Sequence, residues 1–272
     1  MTTIDLEAEY NNRARVPDSG ELIAGWARDA EAFRAQGHAP TSMSYGAGAR
    51  NSIDYFAAAD DRGPIVVFIH GGYWQALDAS FFSHLSRGLT SHGISVAMPS
   101  YDLCPQVSVA EIVAQMRAAV RELAMMGRPL VVAGHSAGGH LAACMLATEW
   151  PVIDPALRKD TVIAAYAISG LFDLAPLVPT SINKALQLTE ESARAVSPLF
   201  GPVPGHGSLD AIVGGDESSE YFRQSRSIVD AWGKAISTVY GTVPGANHFT
   251  AIAPLADPQS PMVLRLKELA TL

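Results

Sequence analysis

Three stretches of this chain combine residue types and spacing that could attack a carbonyl. In Leu130-Val-Val-Ala-Gly-His-Ser-Ala-Gly-Gly139, an apolar run leads into Gly134-x-Ser136-x-Gly138, and a helix-forming run follows over residues 141–147. Strand, glycine-flanked serine and helix in that order form a nucleophile elbow. The turn is tight enough to require that Gly134 and Gly138 lack side chains. Ser136 would stand at its tip, with the helix N-terminus aimed at the reaction centre. Upstream, Pro64-Ile-Val-Val-Phe-Ile-His70-Gly71-Gly72-Tyr73-Trp74 reads as a buried strand ending in a glycine turn. Such a turn brings backbone N–H groups close to a substrate. Those of Gly71 and Gly72, with that of Ala137 after the serine, could hold the oxyanion of a tetrahedral intermediate.

A nucleophilic serine needs a base, and the base needs an acid to orient it. The chain order for this arrangement is serine, acid, histidine. His248 lies in the turn-rich Gly245-Ala-Asn-His248-Phe249 and is the only histidine after residue 206. The remaining histidines lack either the order or the context. For the acid, Ala211-Ile-Val-Gly214-Gly215 reads as a strand end followed by Asp216 and Glu217. Successive side chains leave an extended backbone on opposite sides, so only one of the two can face His248. Strand-end chemistry accepts either.

The elements that must position these groups alternate along the chain. Residues 19–36 read as a helix, with Leu22, Ile23, Trp26, Ala30 and Phe33 at helical spacing. Strands are expected near 52–59, 65–69, 94–98, 130–133, 162–169, 211–214 and 237–240. A further helix over 107–126 carries Val109, Ile112, Val113, Met116, Val120 and Leu123 on one face. This alternation predicts an α/β fold, a mostly parallel central sheet with helices on both faces and active residues at the strands' carboxyl ends. The whole chain, 1–272, reads as a single domain with a helical N-terminal extension over about 1–40. Residues 171–208, with five prolines and short helical pieces near 182–187 and 190–196, interrupt the alternation. They read equally as a small lid over the site and as a packed crossover.

Together, His70-Gly-Gly-Tyr-Trp74, Gly134-His-Ser-Ala-Gly-Gly139 and Glu217-Ser-Ser-Glu-Tyr-Phe-Arg-Gln-Ser225 resemble the kynurenine formamidase (arylformamidase) group of the α/β-hydrolases. The N-terminal Glu9-Tyr-Asn-Asn-Arg13 and Val16-Pro17 resemble it too, so the likeness spans nearly the whole chain. In that group the acid typically begins an Asp-Ser-Pro-Glu-Phe run, which falls without a gap on Glu217-Ser-Ser-Glu-Tyr221. The resemblance therefore points to Glu217, with Glu in place of Asp and Ser219 in place of Pro. It implies a serine hydrolase without a cofactor, acting on an aryl formamide such as N-formylkynurenine. A small-molecule carboxylesterase is the alternative; a ligand-binding protein that has lost catalysis is disfavoured by the intact serine, histidine and acid. Tyr73 and Trp74, beside the oxyanion loop, and Phe249, beside His248, are candidates to line a pocket for an aromatic or apolar substrate group.

Composition agrees. Hydrophobic residues make up 48% of the 272 and charged residues 17%, enough to bury one large core. The net charge of −8, without a basic run, argues against nucleic acid or anionic membranes as partners. No apolar run approaches the roughly 20 residues that span a bilayer. The first residues lack a secretory pattern, so a cytoplasmic enzyme is expected, and a homodimer is compatible with the composition. Two cysteines, Cys104 and Cys144, fit reduced thiols, and the chain carries no paired metal-ligand spacing.

Overall fold

The computed structural model describes residues 4–272. Its eight strands are β1 (Thr41–Ser44), β2 (Ser52–Phe56), β3 (Ile65–Ile69), β4 (Ser95–Pro99), β5 (Leu130–His135), β6 (Val162–Ile168), β7 (Ser208–Gly214) and β8 (Ser237–Val243). They form one sheet in the order β1-β2-β4-β3-β5-β6-β7-β8. β1 and β2 are antiparallel to their neighbours, and the other pairings are parallel. β3 shows why the interior strands read as unbroken apolar runs. Ile65, Val67 and Ile69 point into one core layer, while Val66 and Phe68 point into the other. A strand buried on both faces cannot alternate polar with apolar.

One layer is built on the helices Val109–Ala124, Ala137–Leu146 and Ser219–Trp232, the other on Ser19–Ala35 and Pro261–Ala270. The helix Val109–Ala124 has a full capping box, in which Ser108 and Glu111 satisfy each other's backbone N–H. The expected strands are present, with ends shifted by a few residues. β1 was not anticipated: Thr-Ser-Met-Ser at an exposed sheet edge offers no apolar alternation to read. The helices Ser219–Trp232 and Pro261–Ala270 were not anticipated either.

Residues 171–208 contain two short helices, Asn183–Leu186 and Glu190–Ala195. Leu171, Phe172, Leu174 and Leu177 are fully buried. Gln224 ties this segment down: its Oε1 accepts from the N–H groups of Phe172 (2.8 Å) and Asp173 (2.9 Å), and its Nε2 donates to the Asp173 carbonyl (2.7 Å). These contacts pack the segment against the helix Ser219–Trp232. Only Ile182 of the segment reaches the cavity described below.

Candidate active site

β5 delivers Ser136. The serine takes φ 57° and ψ −117° as it caps the helix Ala137–Leu146, and its N–H donates to the Ile168 carbonyl at 2.8 Å. The elbow leaves no room at its flanking glycines. A Cβ on Gly138 would lie 1.9 Å from the Ile69 carbonyl oxygen, and one on Gly134 would lie 2.1 Å from that of Gly138. The N–H of Ala137 belongs to the first helical turn, which has no intrahelical acceptor. It is free to meet a developing negative charge.

The candidate acid and base, Glu217 and His248, come from the loops after β7 and β8. His248 Nδ1 donates to Glu217 Oε2 at 2.7 Å. The other carboxylate oxygen, Oε1, accepts from the Gly214 N–H (2.7 Å) and from the Ser169 hydroxyl. Three donors thus hold this buried carboxylate in one orientation. The backbone between the two carboxylates is turned rather than extended, so strand alternation does not decide between them. It turns after Gly214, with the Glu217 N–H donating back to the Gly214 carbonyl at 3.2 Å. Glu217 curls inward, while Asp216 is exposed and its N–H donates to the Ala246 carbonyl at 3.0 Å. On the base's side, Asn247 Oδ1 accepts from the N–H groups of Phe249 (2.9 Å) and Thr250 (3.0 Å), closing the turn that presents His248. With Nδ1 engaged by Glu217, Nε2 is the nitrogen left to take a proton.

Ser136 and His248 line one cavity of about 370 Å³, near the lower end of the usual range for small-molecule sites. Its walls include Gly72, Tyr73, Trp26, Phe249, Ile23 and Leu77. Tyr73 lies in this wall, as the motif suggested. Trp74 does not: it is fully buried and packs edge-on against His140, with ring centroids 5.0 Å apart. The loop turns so sharply that adjacent side chains leave it on opposite sides. Gly71 sits against the elbow, its missing Cβ position 3.1 Å from Ser136 Cβ.

Non-glycine residues with positive φ gather here. Of the six among the described residues, Tyr73, Trp74 and Leu77 lie in the stretch after β3, Ser136 forms the elbow and Ser169 donates to Glu217. Left-handed backbone costs an L-residue about 1–2 kcal/mol and persists where surrounding contacts dictate it, most often at functional sites.

Trp26, Ser169, Asn12 and Tyr221 contribute to the site without a motif that assigns them to it. Trp26 was read only as a core residue of its helix. Ser169, at the carboxyl end of β6, offered a positional signal but no motif. Asn12 and Tyr221 lie inside the motifs that carry the family resemblance, yet nothing in the spacing links residues 209 positions apart. Asn12 Nδ2 donates to the Tyr221 hydroxyl at 2.8 Å, and the Tyr221 ring packs 4.7 Å from that of His248.

Three other histidines are structural and uncharged. His135 donates from Nε2 to the His248 carbonyl (2.8 Å), His140 from Nε2 to the Val196 carbonyl (2.7 Å), and His70 from Nδ1 to the Gly71 carbonyl (2.7 Å). Each uses the single N–H of a neutral ring. A second proton on His70 Nε2 or His140 Nδ1 would be buried without an acceptor. Burial pushes the pKa of His70 and of His140 down to about 4 and that of His135 well below the ordinary value. The unfolded chain therefore binds protons at these rings as pH falls below about 6.5, while the native state does not. Stability is fully present above that pH and is lost as the pH drops towards 4. Near pH 5 the His70 and His140 rings should each add about 1 kcal/mol per pH unit to the slope, with His135 acting in the same direction. Urea titrations at about pH 7.5, 6 and 5 check this; a stability flat down to pH 5 would mean that the rings charge freely in the folded protein.

A serine at an elbow, a histidine held by a buried carboxylate and a glycine loop over one cavity, all at the carboxyl ends of a parallel sheet, define an α/β-hydrolase. The model of the alpha/beta hydrolase family matches residues 66–269. Within that family, the chain belongs with the kynurenine formamidases. It is 30% identical to the kynurenine formamidase of Salmo salar over 82% of this chain and 80% of that one. Among solved structures, a protein from Silicibacter sp. TM1040, described provisionally as a thioesterase, superposes with a TM-score of 0.86. It is 38% identical, over 96% of this chain and 98% of that one. Esterase 2 of Thermogutta terrifontis shares the fold at a TM-score of 0.68 and 22% identity, over 85% of this chain and 90% of that one. The protein is an enzyme that hydrolyses an amide or an ester.

Proposed function

We propose that the enzyme cleaves an aryl formamide, of which N-formylkynurenine is the leading candidate, through a formyl-enzyme on Ser136. The observation that carries this reading is that His248, held by Glu217, shares with Ser136 a small cavity walled by Trp26, Tyr73 and Phe249. A cavity of this size and lining suits one substituted aromatic ring. The close approach of Gly71 to Ser136 favours a small acyl group such as formyl.

In this mechanism Ser136 Oγ attacks the formyl carbon as His248 Nε2 takes its proton. Glu217 holds the ring by Nδ1 and stabilises the imidazolium. The N–H groups of Gly71, Gly72 and Ala137 receive the oxyanion. His248 then delivers its proton to the departing aryl nitrogen, because an arylamine leaves poorly as an anion. Water, deprotonated by His248, repeats the attack on the formyl ester and releases formate, restoring Ser136.

The same machinery cleaves esters, so a small-ester carboxylesterase is the second reading. Values of kcat/KM on N-formylkynurenine and on an aryl acetate of matched size separate the two. The expected result is a kcat/KM for the formamide at least about tenfold above that for the ester. Ester turnover without detectable formamide turnover would overturn the formamidase reading while leaving the serine hydrolase in place.

A further inference from the structure

The oxyanion loop holds a conformation it would not adopt alone. Gly72, Tyr73 and Trp74 have φ of 107°, 49° and 56° in succession, and two of them carry large side chains. Surrounding contacts must impose this geometry. For Trp74 they are its burial against His140 and its carbonyl, which accepts from the Cys104 N–H at 2.8 Å. For Tyr73 they come from the other end of the chain.

The Tyr73 hydroxyl lies 2.6 Å from the Tyr10 carbonyl and 2.7 Å from the Tyr221 hydroxyl. A carbonyl can only accept, so the one proton of Tyr73 goes to Tyr10. The Tyr221 proton therefore points at Tyr73, and the Tyr221 oxygen accepts from Asn12 Nδ2 at 2.8 Å. The result is a one-way chain of donors, Asn12 to Tyr221 to Tyr73 to the Tyr10 carbonyl. Its N-terminal anchor is itself pinned to the helix Ser219–Trp232. The Tyr10 hydroxyl donates to Glu220 Oε2 (2.7 Å), and Glu9 Oε2 accepts from the Glu220 N–H (3.0 Å) and the Ser219 hydroxyl (2.8 Å).

The geometry points to a clamp: Tyr10 directly, and Asn12 both directly and through Tyr221, hold Tyr73 and so fix the Gly71-Gly72 backbone with its N–H groups aimed at the oxyanion. Asn12, Tyr73 and Tyr221 are then positioning residues, and the N-terminal segment is part of the active site's support. The clamp rests on the reading of Gly71 and Gly72 as oxyanion donors. It makes no claim on the substrate.

Two near-isosteric variants break the chain at different links. Tyr73→Phe removes the hydroxyl but keeps the ring. Asn12→Asp replaces the donor by an acceptor, which draws the Tyr221 proton away from Tyr73. Because a misplacement of about 1 Å can cost on the order of 10²-fold, each should lower kcat on an aryl ester about 10- to 100-fold while KM stays within about threefold. Affinity for phenylboronic acid, whose tetrahedral adduct on serine places an oxygen in the hole, should fall in parallel with kcat. Affinity for aniline, which mimics only the bound leaving group, should not change. An unchanged kcat in both variants overturns the clamp, as does a fall in kcat with boronic acid affinity intact.

Gly72→Ala, measured beside them, separates the clamp from the reading beneath it. A Cβ there would meet the Ala76 carbonyl oxygen at 2.3 Å. If Gly72→Ala loses both kcat and boronic acid affinity while the other two variants keep them, only the clamp fails. If Gly72→Ala keeps both, the oxyanion assignment fails and the clamp with it. Should Tyr73→Phe not fold, Asn12→Asp alone decides.

Discussion

Ser136→Ala is expected to lower kcat on any substrate by roughly 10⁴-fold or more, with KM and thermal unfolding close to those of the wild type. The loss is large because in the proposed mechanism serine, histidine and acid act as one unit, and removing the nucleophile idles the other two. Stability should hardly move. The serine hydroxyl faces the cavity rather than the packed core, and alanine at φ 57° suffers the same backbone strain as serine. Steady-state kinetics with an aryl ester, together with labelling by a serine-directed phosphonylating reagent, makes the measurement. A variant that keeps a tenth of wild-type activity would remove Ser136 from the mechanism.

The second large effect separates the two neighbouring acids. Glu217→Gln should cost about 10³- to 10⁴-fold in kcat. Three donors converge on the two carboxylate oxygens: His248 Nδ1, the Gly214 N–H and the Ser169 hydroxyl. An amide offers one oxygen and one NH₂. If the NH₂ faces His248, the ring is driven to the wrong tautomer and its cation loses its counter-charge. If the NH₂ faces the other way, it meets the Gly214 N–H, and a buried donor left unpaired costs about 1–3 kcal/mol. Asp216→Asn should change kcat by less than about threefold, because this side chain is exposed and its exposed charge is screened by solvent. Both variants are to be compared on one aryl ester. A crippled Asp216→Asn beside a near-normal Glu217→Gln would move the acid by one residue and leave the hydrolase intact.

The sequence alone determined whatever depends on near neighbours in the chain. The strands that carry the site declared themselves because burial on both faces forces continuous apolar runs such as residues 65–69 and 130–133. The elbow was legible because backbone crowding at Gly134 and Gly138 admits no side chain, which writes a spacing into five consecutive residues. The order of Ser136, Glu217 and His248 along the chain follows from the order of the strands that precede them. Helical spacing exposed the helix that begins at Ser19, but not the cavity-facing role of Trp26, since a core face and a cavity face share the same periodicity.

Tertiary structure decided what depends on contacts between distant segments. Asp216 and Glu217 are equivalent to any pattern of burial or spacing, and only family likeness favoured one. The turn after Gly214 and the donors Ser169 and His248 make them different. Tyr73 and Trp74 looked alike as pocket residues, but the left-handed backbone between them sends one to the cavity and the other into the core. Asn12 and Tyr221 form one hydrogen bond across 209 residues of sequence, because the sheet's winding returns the helix Ser219–Trp232 to the N-terminal segment. No local propensity encodes that meeting. It exists only when the strands have paired and both faces of the sheet are covered.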